Sequence, residues 1–191
     1  MIKEFHNIMP IENIPSVLKH GILSHDGCSK LPHTDVSMSE IQERRDQKKV
    51  PGGLKLHKYA NLYFDARNPM MYKRKEQYEN LCVLQVSVDV LKIEGTVLAD
   101  MNAAADMVSF FPPDYLNRLK FDKIYTKDWT DNDRIEYLRK KAYKCAEVLI
   151  PHCIVSNYIN GAYVATTNAR KKLISQGFEL EININPNIFF L

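Results

Sequence analysis

The chain has 191 residues, with 45% hydrophobic and 26% charged residues and a net charge of +3. That is the balance of an ordinary globular protein, long enough to bury a core, and it is read as one domain over residues 1–191. No apolar run approaches the length needed to cross a bilayer, and Met-Ile-Lys-Glu-Phe-His lacks the apolar heart of a signal peptide, so a cytoplasmic protein without a membrane partner is expected.

In chain order, Phe5–Ile8 reads as a short opening strand. A helix follows, with Ile11, Ile14, Val17, Leu18 and Ile22 at helical spacing and Gly21 suited to end it. Ser24–Thr34, rich in Gly, Ser, His and Asp, reads as a loop. Met38–Lys49 reads as a charged helix, with six charges in Glu43–Lys49, stopped by Pro51-Gly52-Gly53. "YANLYFD" and "LCVLQVSV" are strand candidates, rich in aromatic and β-branched residues, with a short helix over Asn68–Tyr78 between them. "GTVLAD" is a further strand, and "FDKIYTKDW" is expected to contain one. Asp131–Tyr143 reads as a charged helix, then "AEVLIP", "CIVSNYI", "AYVAT" and "FELEINI" continue the β character, with a helix at Asn168–Gln176. The fold class is α+β.

The usual chemical signatures are missing. There is no phosphate-binding glycine loop, dinucleotide fingerprint, HExxH or nucleophile elbow. Cys28, Cys82, Cys145 and Cys153 include no CxxC pair, so no metal is expected and the thiols are read as reduced. Single residues therefore carry the reading. His6 on the first strand is either structural or a site residue. Glu147 opens an apolar run directly after a basic helix, as an edge-strand carboxylate or one that stabilises a developing cation. Arg45 is either a surface salt-bridge partner or a phosphate ligand. Tyr63 and Phe64 are core aromatics or a stacking surface. "ARNPMMY", Ala66–Tyr72, is either a proline-initiated helix start or a mixture suited to a splayed base. Trp129, the only Trp, lies among polar residues, which favours a substrate-facing role.

"IQERRDQKKVPGGLKLHKYANLYFDARNPMMY", "VLADMNAA" and "KCAEVLIP" occur in that order and together resemble the DarT family of DNA ADP-ribosyltransferases, the toxins of DarT–DarG toxin–antitoxin systems. The resemblance implies an ADP-ribosyltransferase-like split β-sheet core with flanking helices, gripping NAD as co-substrate in a central cleft. It implies transfer of ADP-ribose onto a base of single-stranded DNA. Arg45 matches the thymine-modifying branch; guanine or RNA as acceptor, or a non-catalytic nucleic-acid-binding relative, are the alternatives. By the same resemblance Arg45 and Glu147 are catalytic, and His6, Asn7, Ile8, Ser16, Leu23, Arg45 and Tyr63 bind NAD. Arg67, Asn68, Pro69, Met70, Met71, Tyr72, Trp129, Lys141 and Lys144 would face DNA, the last three in a substrate-recognition stretch from about Asp106 to Glu147. The implied partners are single-stranded DNA and a DarG-like macrodomain antitoxin, with a monomeric state expected. "FHNIMP" departs from the family's His-x-Thr start, and Lys58 stands where the family commonly has an acid. Because Arg stays protonated in proteins, Arg45 is read as an electrostatic stabiliser of the pyrophosphate and of the forming anionic base.

Overall fold

The computed structural model describes residues 2–29, 31–34 and 39–191. Strand β1 (Glu4–Pro10) is longer than the sequence suggests and passes through a 3-10 turn into α1 (Ile14–His20), which buries Ile14 and Val17. Gly21 ends α1 at a φ of 79°, and a Cβ there would sit 2.3 Å from the Ile154 carbonyl oxygen. Strand β2 (Ile22–Leu23) is followed not by a loop alone but by a one-turn helix, α2 (His25–Cys28), capped by the Ser24 side chain. Helix α3 (Ser39–Gln47) carries Arg45; the expected start at Met38 lies outside the described residues.

The expected strands form as β3 (Tyr59–Tyr63), β4 (Leu81–Ser87) and β5 (Val97–Ala99), with α4 (Pro69–Lys73) between the first two. Strand β6 (Phe110–Phe111) had no clear sequence signal. "FDKIYTKDW" holds no strand: it opens with α5 (Phe121–Ile124), where buried Ile124 anchors a helical turn. Helix α6 (Arg134–Tyr143) leads to β7 (Glu147–Pro151), β8 (Cys153–Ile154), β9 (Ile159–Val164), α7 (Thr167–Ser175) and β10 (Glu181–Ile184).

Eight strands make one sheet in the order β10-β9-β4-β1-β3-β7-β5-β6, and β2 pairs with β8 apart from it. All pairings are antiparallel except β10 with β9. Strand β4 is buried along nearly its whole length, and its near-continuous apolar run follows from that central place. The sheet is split. β1 pairs with β4 from Glu4 to Pro10 and β3 with β7 from Tyr59 to Tyr63, yet β1 and β3 share only the pair His6–Tyr63. Beyond that pair the halves part and leave room for a cavity. No helix among the described residues is long and apolar enough to cross a membrane.

His6 reinforces the narrow junction. Its Nδ1 lies 3.3 Å from the Phe64 carbonyl oxygen and its Nε2 lies 3.1 Å from Glu4 Oε1. Glu4 also accepts from Gln85 Nε2 at 2.8 Å and from the Tyr163 hydroxyl at 2.9 Å. The His6 hydrogen bond, helped by those from Gln85 and Tyr163, outweighs desolvation and holds the Glu4 carboxyl at about 2, below its ordinary 4.5. A carboxyl depressed in the folded state stabilises the fold above its unfolded value, and that contribution is lost as pH falls through the folded value. Denaturant titrations from pH 7 downward should therefore show stability falling between about 4.5 and about 2. The loss in that window should be shallower in Glu4→Gln, which has no such group to protonate.

Candidate active site

Glu147, the first residue of β7, has no exposed surface, because Ala146, Val148 and Leu149 around it are all in the interior. A carboxyl group buried there needs partners for its oxygens. Arg45 of α3 supplies the charge: its Nη1 lies 2.9 Å from Oε2 and 3.2 Å from Oε1. The Ala103 backbone N–H donates to Oε1 at 3.0 Å. Arg45 itself is only 7% exposed, so the pair is buried on both sides. Tyr63 stands opposite Glu147 in the register, and burial, then the Glu147 charge, push its phenol above the ordinary range. The Cys145 thiol is pushed up to about 12 by burial and then by Glu147, so it is no thiolate nucleophile.

A cavity of about 320 Å³ opens beside Arg45, which lines it; Glu147, fully buried, is not among the lining residues. Of the residues expected to hold NAD, the structure brings Asn7, Ile8, Ser16, Leu23, Arg45 and Tyr63 to its wall. His6 is not among them. Its ring is turned onto Glu4 and Phe64, while Asn7 and Ile8 beside it reach the cavity. Gln42, Asn61, Asn102 and His25 also line the cavity and were missed, since an isolated amide or histidine in a loop or charged helix carries no sequence signal.

The residues expected to face DNA divide. Pro69, Met70 and Lys141 line the same cavity. Tyr72 is exposed and meets Trp129 edge to face, with ring centroids 6.1 Å apart. Both pack against Phe190, at 5.1 and 5.7 Å, and the Arg67 guanidinium lies 4.1 Å over the Phe190 ring. Three of the set are structural instead. Asn68 is buried and caps α4, its side chain accepting from the Met70 and Met71 amides. Met71 is fully buried in a cluster with Phe189. Lys144 is 2% exposed, its ammonium bonded to the Asp65 carboxylate and the Ile124 carbonyl; a buried cation needs those partners and is not available to DNA. Among the described residues no group of three or more His, Cys, Asp or Glu is placed to hold a metal ion.

The family model for DarT, described as ssDNA thymidine ADP-ribosyltransferase, matches residues 6–190. The chain belongs to the DarT family. A DarT relative from Thermosipho africanus, a DNA ADP-ribosyl transferase–DNA ADP-ribosyl glycohydrolase fusion protein, is 26% identical over 99% of this chain. The chain spans about half of that relative's length, 50%. The solved structure of Thermosipho africanus DarTG in complex with ADP-ribose superposes with a TM-score of 0.87 at 25% identity, covering 99% of this chain and 51% of that one. Thermus sp. 2.9 DarT in complex with ADP-ribosylated ssDNA gives a TM-score of 0.84 at 22% identity, over 98% of this chain and 96% of that one, and shares the fold. The same Thermus protein has also been solved in complex with NAD+, with a TM-score of 0.79 at 19% identity, over 98% of this chain and 97% of that one.

The buried pair makes a stability prediction. Glu147→Ala should cost about 3–5 kcal/mol, because it leaves Arg45 buried without a counter-charge. Adding Arg45→Ala should cost little more, or restore part of the loss. A double-mutant cycle in urea would measure this coupling, and simple additivity would show the two charges to be independent.

Proposed function

We propose that this chain transfers ADP-ribose from NAD to a thymine base of single-stranded DNA, acting as the toxin of a toxin–antitoxin pair whose antitoxin is a DarG-like macrodomain. The observation that carries the reading is a cavity wall on which Arg45, paired with the buried Glu147, stands with Pro69, Met70 and Lys141. One space thus collects a permanent cation and an entry for a second substrate, with the carboxylate bonded to that cation from within the core. Family membership and the Thermus complexes with NAD+ and with ADP-ribosylated ssDNA support the choice of substrates. The antitoxin reading draws on the glycohydrolase half of the Thermosipho relative.

In this reading the bond from the ribose C1′ to nicotinamide breaks, its electron pair leaves with nicotinamide, and the sugar becomes cationic. Glu147, held by the Ala103 N–H and by Arg45, offsets that charge from the core side of Arg45. A ring nitrogen of the base forms the new bond to C1′ and gives up its proton, so nicotinamide and one proton are released. Arg45 remains protonated throughout and stabilises the pyrophosphate and the base as it becomes anionic.

The test is incubation with NAD and single-stranded oligonucleotides of defined sequence, read by mass spectrometry. An ADP-ribose mass on thymine-containing strands only is the expected result. Modification of guanine strands would move the acceptor, and NAD consumption without DNA modification would overturn the DNA reading. Glu147→Gln keeps the size and hydrogen-bonding shape of the side chain but not its charge. It should lower transfer at least about a hundredfold and, by leaving the Arg45 charge without its counter-charge, lower the melting temperature as well, so transfer is compared at a temperature where the variant is folded; it should also relieve the growth arrest expected of the wild-type chain in bacteria.

A further inference from the structure

The segment of residues 100–109 is closed on itself. The Ser109 N–H donates to Asp100 Oδ1 at 2.9 Å, and the Asp100 N–H donates to the Ser109 carbonyl oxygen at 3.2 Å. Inside this loop the Ala104 N–H donates to Asn102 Oδ1 and the Ala105 N–H to the Asn102 carbonyl oxygen, each at 2.8 Å. Two members of the loop meet the site. The Ala103 N–H donates to Glu147, and Asn102 lines the cavity.

The loop is also tied to α3. Lys48 directly follows that helix, and its N–H donates to the Arg45 carbonyl oxygen at 3.2 Å, so the two residues share one turn of backbone. The Lys48 ammonium donates to the Ala105 carbonyl oxygen, which also accepts from the Val108 N–H at 3.4 Å. Lys48 is half-buried and is not among the residues lining the cavity. Burial lowers the pKa of its ammonium, and the Asp106 carboxylate opposes that shift. A lysine that gives up water and rotamer freedom for one loop carbonyl is fixing the place of that carbonyl.

These contacts close a ring. Arg45 bonds Glu147, Glu147 accepts from Ala103, and Ala105, two residues on, accepts from Lys48, which is bonded back to Arg45. Without the Lys48 contact, α3 would still be pinned to β7 through Arg45. The distance from α3 to the loop that carries Ala103 and Asn102 would lose its direct tie.

We propose that Lys48 is a positioning residue for the transfer reaction: by holding Ala105 to α3 it aims the Ala103 N–H at Glu147 and keeps Asn102 on the cavity wall. This rests on the transferase reading given above. Lys48 acts through the loop and not on NAD, so its loss bears on the rate of transfer more than on NAD binding.

The experiment compares wild type, Lys48→Met and Lys48→Arg in two measurements. The first is steady-state transfer to a single-stranded oligonucleotide that the wild type modifies, with NAD varied. Lys48→Met keeps the length of the side chain without its donor, and kcat should fall about tenfold while KM for NAD stays within about twofold. The second is hydrogen exchange of the free proteins, read by mass spectrometry of fragments. Residues 100–109 should exchange faster in Lys48→Met, while β4 keeps its wild-type protection. Lys48→Arg retains a charged donor and should restore most of both. A folded Lys48→Met with wild-type kcat would overturn the proposal, as would a change in KM alone. Exchange that rises in β4 as much as in residues 100–109 would also overturn it, by showing a role in general stability. Absence of transfer by wild type to any oligonucleotide would overturn the function reading instead, and the exchange comparison, which needs no substrate, would still decide whether Lys48 holds the loop.

Discussion

A carboxylate with no access to water constrains everything around it. Glu147 at the start of β7 has lost its water and needs other partners, and Arg45 and the Ala103 N–H are held against it. The contact joins residues 102 positions apart in the chain. It pins α3 to the β3-β7 half of the sheet and sets one wall of the cavity. Replacing both charges of such a pair by apolar groups of similar volume is often neutral or stabilising, so stability alone does not account for it.

The sheet is built to permit that cavity. Long ladders hold β1 to β4 and β3 to β7, while a single pair spans β1 and β3. A gap in the middle of a sheet leaves backbone groups needing partners and edges needing support. The Glu4–His6–Gln85–Tyr163 cluster provides support at the junction, with His6 reaching across to Phe64.

The aromatic group of Tyr72, Trp129 and Phe190 joins segments that are far apart in the chain, and Arg67 ties it to the C-terminal end through Asn187 and Phe190. Trp129, odd in its polar surroundings, is explained in part by this packing. Lys144, by contrast, was expected to face DNA, yet it is inside, bonded to Asp65.

The sequence by itself determined the element types over most of the chain, because apolar period and β-branched runs are local properties. It also supplied the family, through three ordered motifs whose residue types matched, and with it Arg45 and Glu147. What it could not decide was facing and pairing. Which residues of β1 line the cleft was one such point: Asn7 and Ile8 do, while His6 is spent on Glu4 and Phe64. Whether Asn68, Met71 and Lys144 are exposed depends on packing partners distant in sequence, which no local pattern records. The partnership of Arg45 with Glu147 is likewise tertiary, since a charged residue carries no mark of the counter-charge that the fold will bring to it.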